Sequence, residues 1–90
     1  MTWFYLSFAD PQKPSGEQFL GAAYVNADGE QIVDVMSRLS AIGINPGGEI
    51  LIAGPIGEEE IDDYLPQENR ERLLTRAEIK EMDDVVNARD

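Results

Sequence analysis

Cysteine and histidine are both missing from this chain of 90 residues. Their absence excludes disulfides, thiol nucleophiles, histidine-dependent catalytic triads and nearly all zinc chemistry. Hydroxyl side chains such as those of Ser7 and Thr75 therefore have no histidine base to activate them. We expect a protein that is not an enzyme and needs no cofactor.

Basic residues are scarce, with 7 Lys and Arg against 18 Asp and Glu, for a net charge of −11. A field of this sign repels phosphate backbones and anionic membrane surfaces, so we expect no nucleic-acid and no membrane partner. The charge has two interpretations, either solubility alone or attraction to a basic partner, including mimicry of nucleic acid.

The apolar N-terminal run is too short for a membrane span or a signal peptide, because Asp10 and Pro11 interrupt it and no basic residue precedes it. We therefore expect a cytoplasmic protein. The absence of cysteine agrees with a reducing compartment.

Three segments have the pattern of β-strands. Residues 2–9 form an aromatic, nearly continuous apolar run, which is typical of a central strand. Residues 18–27 follow after a loop rich in Pro and Gly, and residues 49–53 form a third apolar run. Gly54 and Pro55 are expected to end that third strand.

A helix is predicted between the second and third strands. Asp28 is expected to cap its N-terminus, with Gln31 completing a capping box. The predicted buried stripe follows the helical spacing i, i+3, i+4 and i+7, at Ile32, Val35, Met36 and Leu39. Gly43 is expected to take the left-handed position after the helix, with Ile44 folding back on it.

The remaining third of the chain contains an acidic stretch and a second predicted helix. Residues 57–74 are expected to be irregular, with Tyr64 and Leu65 attaching them to the body. Within this stretch, Pro66 suits the first turn of a short helical segment. A capping box from Thr75 to Glu78 begins a helix over residues 75–86. Its apolar face is predicted at Ile79, Met82 and Val86, and residues 87–90 are expected to fray.

These elements predict a single α+β domain in which residues 1–56 form a ββαβ core. The central first strand gives the sheet order 2-1-3, with the third strand antiparallel to the first. One helix covers one face of this three-stranded sheet. The other face needs the C-terminal helix or another subunit, and we expect a homo-oligomer.

The predicted topology brings a candidate ligand-binding site to one edge of the sheet, where the first strand ends and the second and third begin. Backbone N–H groups of Gly47 and Gly48 could face an oxyanion. Asp10 or Asn45 could accept hydrogen bonds from ribose hydroxyls, and an aromatic ring could stack on a base. The candidate residues at this edge are Phe8, Asp10, Phe19, Asn45, Gly47 and Gly48.

A phosphate at this edge would need a cation, since the helix C-terminus opposes anions. Arg72 or Arg76 is the candidate for that charge, because both belong to the basic cluster of the chain. The alternative is that these arginines pair with neighbouring glutamates such as Glu68, Glu71 and Glu78 or with the acidic stretch. The carboxylate runs at residues 58–60, 62–63 and 83–84 lack the spacing of a calcium loop, and we interpret them as solvated faces.

Four segments of the sequence resemble a family of short, uncharacterised proteins encoded largely by tailed phages and prophages. These segments are residues 3–10 (WFYLSFAD), 19–22 (FLGA), 43–49 (GINPGGE) and 72–75 (RLLT). The resemblance covers most of the chain except residues 56–69, and its most specific part is residues 43–49. It implies a role in the cytosol of an infected host cell, often as an inhibitor of host defence.

Two mechanisms fit that context. In the first, an oligomeric sponge binds a nucleotide-derived immune signal at the sheet edge and removes it from solution. In the second, an acidic protein blocks a host defence factor by direct contact, using the charge of residues 58–63 and imitating DNA. A structural or metabolic accessory of the phage is a third class. The convergence of the resembling segments at one edge favours the sponge.

Overall fold

The computed structural model describes the backbone of residues 1–88 and the side chains of residues 1–84. The elements in chain order are β1 (Thr2–Ala9), β2 (Phe19–Ala27), α1 (Ile32–Ile42), β3 (Glu49–Ile56), α2 (Glu58–Tyr64), a 3-10 turn (Gln67–Asn69) and α3 (Arg76–Ala88). None of the helices in this part of the chain has the length and apolar character needed to cross a membrane.

The sheet has the predicted order β2-β1-β3, and β1 is antiparallel to both neighbours. β1 takes the middle because its apolar run has both faces covered, as the burial of Trp3 on one face and Phe4 on the other shows. The α+β class and the antiparallel placement of the third strand are confirmed.

α1 covers the first face of the sheet, but with a different stripe from the one predicted. Val35 and Leu39 are buried against Phe4, Leu6 and Phe8. Ile32 and Met36 were predicted to lie in this stripe, yet they are 70% and 41% exposed. The prediction was wrong for these two residues, because the face of α1 that packs on β2 carries Val35, Leu39 and Ile42.

The ends of α1 show one correction and one confirmation. Gln31, and not Asp28, is the N-cap, and it shares a reciprocal capping box with Asp34. Gly43 takes the left-handed conformation with φ 77°, and the N–H of Ile44 donates to the carbonyl of Leu39 at 3.0 Å. The predicted Schellman-type ending is therefore present.

α2 and α3 cover the second face of the sheet, so the C-terminal alternative of the prediction is confirmed. They enclose a cluster of five buried residues, Trp3, Ile61, Leu65, Leu74 and Met82. Ile79 packs against this cluster from α3 as predicted, while the Val86 side chain lies outside the described residues. α3 continues to Ala88, so the predicted helix end at residue 86 and the predicted fraying of residues 87 and 88 were wrong, and residues 89–90 lie outside the described residues.

The acidic stretch is more ordered than predicted. Residues 57–74 were expected to be irregular apart from a short helical segment at Pro66, and Gln67–Asn69 form a 3-10 turn there. Glu58–Tyr64, in contrast, form the helix α2, which was not predicted. Ile61 is fully buried and Leu65 nearly so, which fixes the helix to the sheet. Burial of these two side chains stabilises the helix. The run of acidic residues makes this helix difficult to recognise in the sequence.

β3 is longer than predicted and continues through Gly54 and Pro55 to Ile56, which pairs with Trp3. The register shifts between Trp3 and Tyr5, where this glycine–proline step enters the strand. β3 is an outer strand, and a proline is tolerated there because a missing N–H on the outer side costs no ladder hydrogen bond.

The outer edge of β2 is covered by residues 71–74, which we call the edge strap. Ala22 and Leu74 exchange backbone hydrogen bonds of 3.1 and 2.6 Å, and the N–H of Glu71 donates to the carbonyl of Tyr24 at 2.9 Å. The Glu71 carboxylate also accepts from the Asn26 N–H and from Arg38. β3, at the opposite side, is the last strand of the sheet within residues 1–88.

Candidate functional site

A groove of about 440 Å³ lies between the C-terminal end of α1 and the start of β3, and we call it the corner groove. The sheet contributes its floor, α1 contributes one wall, and the connector from α1 to β3 contributes the other. The lining residues are Phe8, Met36, Leu39, Ser40, Gly43, Ile44, Asn45, Pro46, Gly47, Gly48 and Ile50.

The turn after α1 shapes the groove. Because Gly43 is left-handed, the chain reverses at the helix end, and Ile44 packs back onto the cluster of the first face. The connector then crosses the end of the sheet to reach β3. A chain that continued in helical geometry at Gly43 would not return to this corner.

Gly48 lets the connector lie directly on the sheet. A Cβ at this position would stand 2.3 Å from the carbonyl oxygen of Ala9 and 2.9 Å from the side chain of Leu20. No side chain fits there, so the backbone itself forms this part of the groove wall. The position of a Cβ on Gly47, in contrast, has no atom within 4 Å and opens into free space.

The structure brings together four of the sequence-predicted site residues. Phe8, Asn45, Gly47 and Gly48 all line the corner groove, although they come from β1 and from a connector far along the chain. Their convergence follows from the antiparallel pairing of β1 with β3, which was predicted and which sets Phe8 opposite Ile50.

Asp10 and Phe19 lie at the same end of the sheet without lining the groove. The Asp10 carboxylate accepts the N–H of Gln12 at 3.0 Å, and its own N–H donates to Gln18 at 2.8 Å, so this residue shapes the loop between β1 and β2. Phe19 pairs with Ala9 beyond the register shift of β1.

The two candidate arginines are engaged away from the groove. Arg72 binds the carbonyl oxygen of Glu68 at 2.6 Å, the side chain of Asn69 at 2.8 Å and the carboxylate of Glu78. Arg76 places its guanidinium 5.3 Å from the centre of the Phe19 ring. Both belong to the part of the chain that packs on the second face, while the corner groove opens on the first.

The Arg72–Glu78 pair also explains why the carboxyl group of Glu78 has a strongly lowered pKa. The hydrogen bond from Arg72 and then the backbone N–H of Thr75 lower the pKa of Glu78 to about 2. Thr75 in turn accepts the N–H of Glu78 at 3.2 Å. The predicted capping box of α3 is thus present, and Arg72 serves this helix end.

Sequence reasoning missed the α1 side of the groove. Met36 was assigned to the core and Ser40 to no role, yet both line the groove beside Gly43. The signal was available in their spacing, because residues four apart on a helix share one face. Placing Gly43 at the helix end then puts that face next to the connector.

The lining of the corner groove contains no ionisable side chain. Its floor is apolar, and its polar groups are the Ser40 hydroxyl, the Asn45 amide and the backbone of the connector. Such a surface suits a ligand with an apolar or planar part and a few hydrogen-bonding groups. Among the described residues, no group of acidic side chains is arranged to hold a metal ion.

A second, acidic surface stands on α2. Glu58, Glu59, Glu60, Asp62 and Asp63 are exposed on one short helix whose buried Ile61 fixes it to the body. Asp62 meets Arg70 at 3.3 Å, and Arg70 also donates to the carbonyl of Leu65. The acidic groups are therefore presented from a defined helix.

Comparisons of the chain with protein-family models, with curated proteins and with solved structures find no match.

Proposed function

We propose that this protein is a non-catalytic binding protein that takes up a nucleotide-derived small molecule in the corner groove. The observation that carries the proposal is the convergence of Phe8, Asn45, Gly47 and Gly48 on one groove. A volume of about 440 Å³ falls within the range of small-molecule sites, roughly 300–1,000 Å³.

Each part of the groove matches a part of such a ligand. The apolar floor at Ile50, which lies opposite the buried Phe8 on the neighbouring strand, can hold a base, because a flat heterocycle gains most from contact with apolar groups. Asn45 and Ser40 offer hydrogen bonds for ribose hydroxyls. The open backbone at Gly47 offers contact to a phosphate without a side chain in the way.

The charge of the protein restricts the ligand further. The protein carries a net charge of −11, and the groove lining contains no cationic side chain. A phosphate in the groove would therefore contact only neutral groups. Because each added phosphate charge meets the same repulsive field, we propose a ligand with few phosphates, such as a cyclic nucleotide or an ADP-ribose derivative, over a triphosphate.

The cellular role we propose is counter-defence. The resemblance to short phage and prophage proteins supports it, and a protein without catalytic residues can act on a signal by sequestering it. In this role the protein works in the host cytosol as a homo-oligomer and removes the signal by mass action.

A thermal-shift screen with cyclic dinucleotides and ADP-ribose derivatives tests the proposal. A ligand at 100 times its Kd should stabilise the fold by about 2.7 kcal/mol. Ser40→Phe, which fills the groove from an exposed helix position, should abolish the shift. Ser37→Phe makes the same change on the same helix outside the corner groove and should retain it. If no ligand raises the melting temperature, or if both variants lose the thermal shift equally, the groove is not the binding site.

The acidic helix α2 supports a second candidate, an inhibitor that blocks a basic host factor by direct contact. Its carboxylates are exposed and fixed in position by Ile61, as a complementary charged interface requires. Neutralising Glu58, Glu59 and Glu60 together as Gln should remove anti-defence activity if this candidate holds. Retained activity in that variant, with loss in Ser40→Phe, would assign the function to the groove.

A further inference from the structure

Within residues 1–88, the open edge of the sheet belongs to β3. The edge strap covers β2 through Leu74 and Glu71, whereas the outer side of β3 has no strand paired with it within residues 1–88. An outer strand presents a row of unpaired N–H and C=O groups, which can pair with another strand.

Between Ile50 and Ala53, β3 lacks the features that protect such an edge, whereas Pro55 and the register shift lie at its C-terminal end. From Ile50 to Ala53 it carries no charge and no proline, and Leu51 is 73% exposed on the face away from α1. Glu49 is the one charged residue between positions 49 and 56. Apart from Glu49, the charged residues lie outside this strand, so few like charges would meet at short range across the edge.

We propose that β3 pairs antiparallel with β3 of a second copy, around a two-fold axis at Leu51, to give a continuous six-stranded sheet. In this register Leu51 lies opposite the partner's Leu51, and Ile50 lies opposite the partner's Ile52. Glu49 lies opposite the partner's Ala53, so no like charges face each other. The paired stretch, residues 49–53, is the part of β3 that precedes Gly54 and Pro55.

The alternatives for a two-fold pairing are poorer. A register centred on Ile52 would place Pro55, which has no N–H, opposite Glu49 and would use Gly54 in the ladder. A register centred on Ile50 would bring the two Glu49 carboxylates within roughly 7 Å along the strands. The register at Leu51 avoids both and places apolar side chains opposite each other on both faces.

The pairing also extends the corner groove. Ile50 lines the groove, and Ile50 and Ile52 pack on the same face of the sheet as α1. Opposite residues of antiparallel strands point to the same face, so the partner's Ile52 continues the groove floor beyond Ile50. The two grooves then open on one shared face, and each receives a residue from the other copy.

The interface is small by the standard of stable dimers, which bury roughly 1,200–2,000 Å² in total. One short strand with a few apolar side chains buries less than that. We therefore expect a dimer that forms and dissociates with concentration, and covalent trapping is the suitable measurement.

Because the chain has no cysteine, a single introduced thiol reports on the register. Leu51→Cys places two thiols opposite each other, with Cα atoms about 4.5–5.5 Å apart, within the range that a disulfide bridges. Ala53→Cys is the matched control, since it is also exposed on the same face of β3. Its two thiols would lie roughly 14 Å apart, four residues along the ladder, which is too far.

Mild oxidation of the folded protein should convert Leu51→Cys to a disulfide dimer of twice the 10.0 kDa chain mass, and Ala53→Cys should remain monomeric. Leu51→Lys should shift the sedimentation of the reduced protein toward the monomer. Equal crosslinking of both cysteine variants, crosslinking of neither, or preferential crosslinking of Ala53→Cys would overturn the proposal. None of these measurements uses a ligand, so their outcome tests the pairing of β3 separately from ligand binding in the corner groove.

Discussion

Gly43 shows how one residue decides both a helix end and a functional surface. Its left-handed backbone reverses the chain, so that Ile44 returns to the core and the connector forms a wall of the corner groove. A Cβ at this position would meet no atom within 4 Å. Any cost of replacing Gly43 is therefore a cost of backbone conformation and not of crowding.

Replacing Gly43 with valine should destabilise the fold by about 1–2 kcal/mol, the cost of the left-handed conformation for a residue with a Cβ. Gly43→Asn should recover most of that stability, since asparagine tolerates this conformation well. Urea unfolding of the three proteins measures the difference. Equal losses for valine and asparagine would show that something other than backbone conformation makes Gly43 necessary.

Glu78 should make stability depend on acid. Because its pKa is lowered from 4.5 to about 2 in the folded protein, the folded state favours the ionised carboxylate. Its contribution is present above pH 4.5 and is lost as the pH falls toward about 2. Glu78→Gln should flatten this part of the stability profile, measured by thermal unfolding across the same range. A profile as steep as that of the natural protein would assign the acid sensitivity to another carboxyl, such as Glu71.

The two helix caps show which single residues the sequence pattern can assign correctly and which it cannot. Thr75 and Glu78 were recognisable as a capping box because Ser or Thr followed by Glu three residues later satisfies two helix N–H groups. Asp28 was wrongly preferred as the cap of α1, since acidic and amide side chains there offered several similar candidates. Only the reciprocal bonds between Gln31 and Asp34 distinguish them.

At the scale of elements, α2 is the main departure from the sequence pattern. Its first turn consists of three glutamates, and so many charged residues in a short segment indicate a solvated stretch and not a packed helix. Ile61 and Leu65, four residues apart, are the signal that the segment forms a helix with one buried side. A helix this short depends on tertiary packing, which a local sequence window does not contain.

Replacing Ile61 with alanine should therefore cost about 2–5 kcal/mol, the usual range for a fully buried Ile. Glu59→Ala changes an exposed residue of the same helix and should alter stability by no more than about 0.5 kcal/mol. Chemical denaturation compares the two variants. If both changes were small, α2 would not be held to the sheet through Ile61.

The candidate site also contains residues whose position follows from the strand order and residues whose position does not. Phe8, Asn45, Gly47 and Gly48 were predictable because strand order alone brings the end of β1 next to the start of β3. For Arg72 the sequence left two roles open, a cation for the groove or a partner for glutamates such as Glu78, and the structure confirms the second. The nearer partner prevails, since an arginine beside a carboxylate and a carbonyl satisfies its donors locally.

At the scale of the whole molecule, the net charge of −11 should make stability depend on salt. Raising sodium chloride from about 10 mM to about 0.5 M shortens the screening length severalfold and weakens repulsion between carboxylates. We expect the melting temperature to rise, and to rise less in the variant with Gln at positions 58, 59 and 60. A fall with salt would mean that attractive pairs such as Arg38–Glu71 outweigh the repulsion.

The edge strap has a consequence for how large an assembly of this protein can become. A sheet with two free edges can add copies at both ends without limit, as fibrils do. Here residues 71–74 occupy the edge of β2, so within residues 1–88 the sheet offers the edge of β3 to the partner that we propose. In the proposed pairing two copies use this edge on each other, and growth would stop at a closed pair. The contact between Ala22 and Leu74 that completes the fold would then also limit the proposed assembly to two copies.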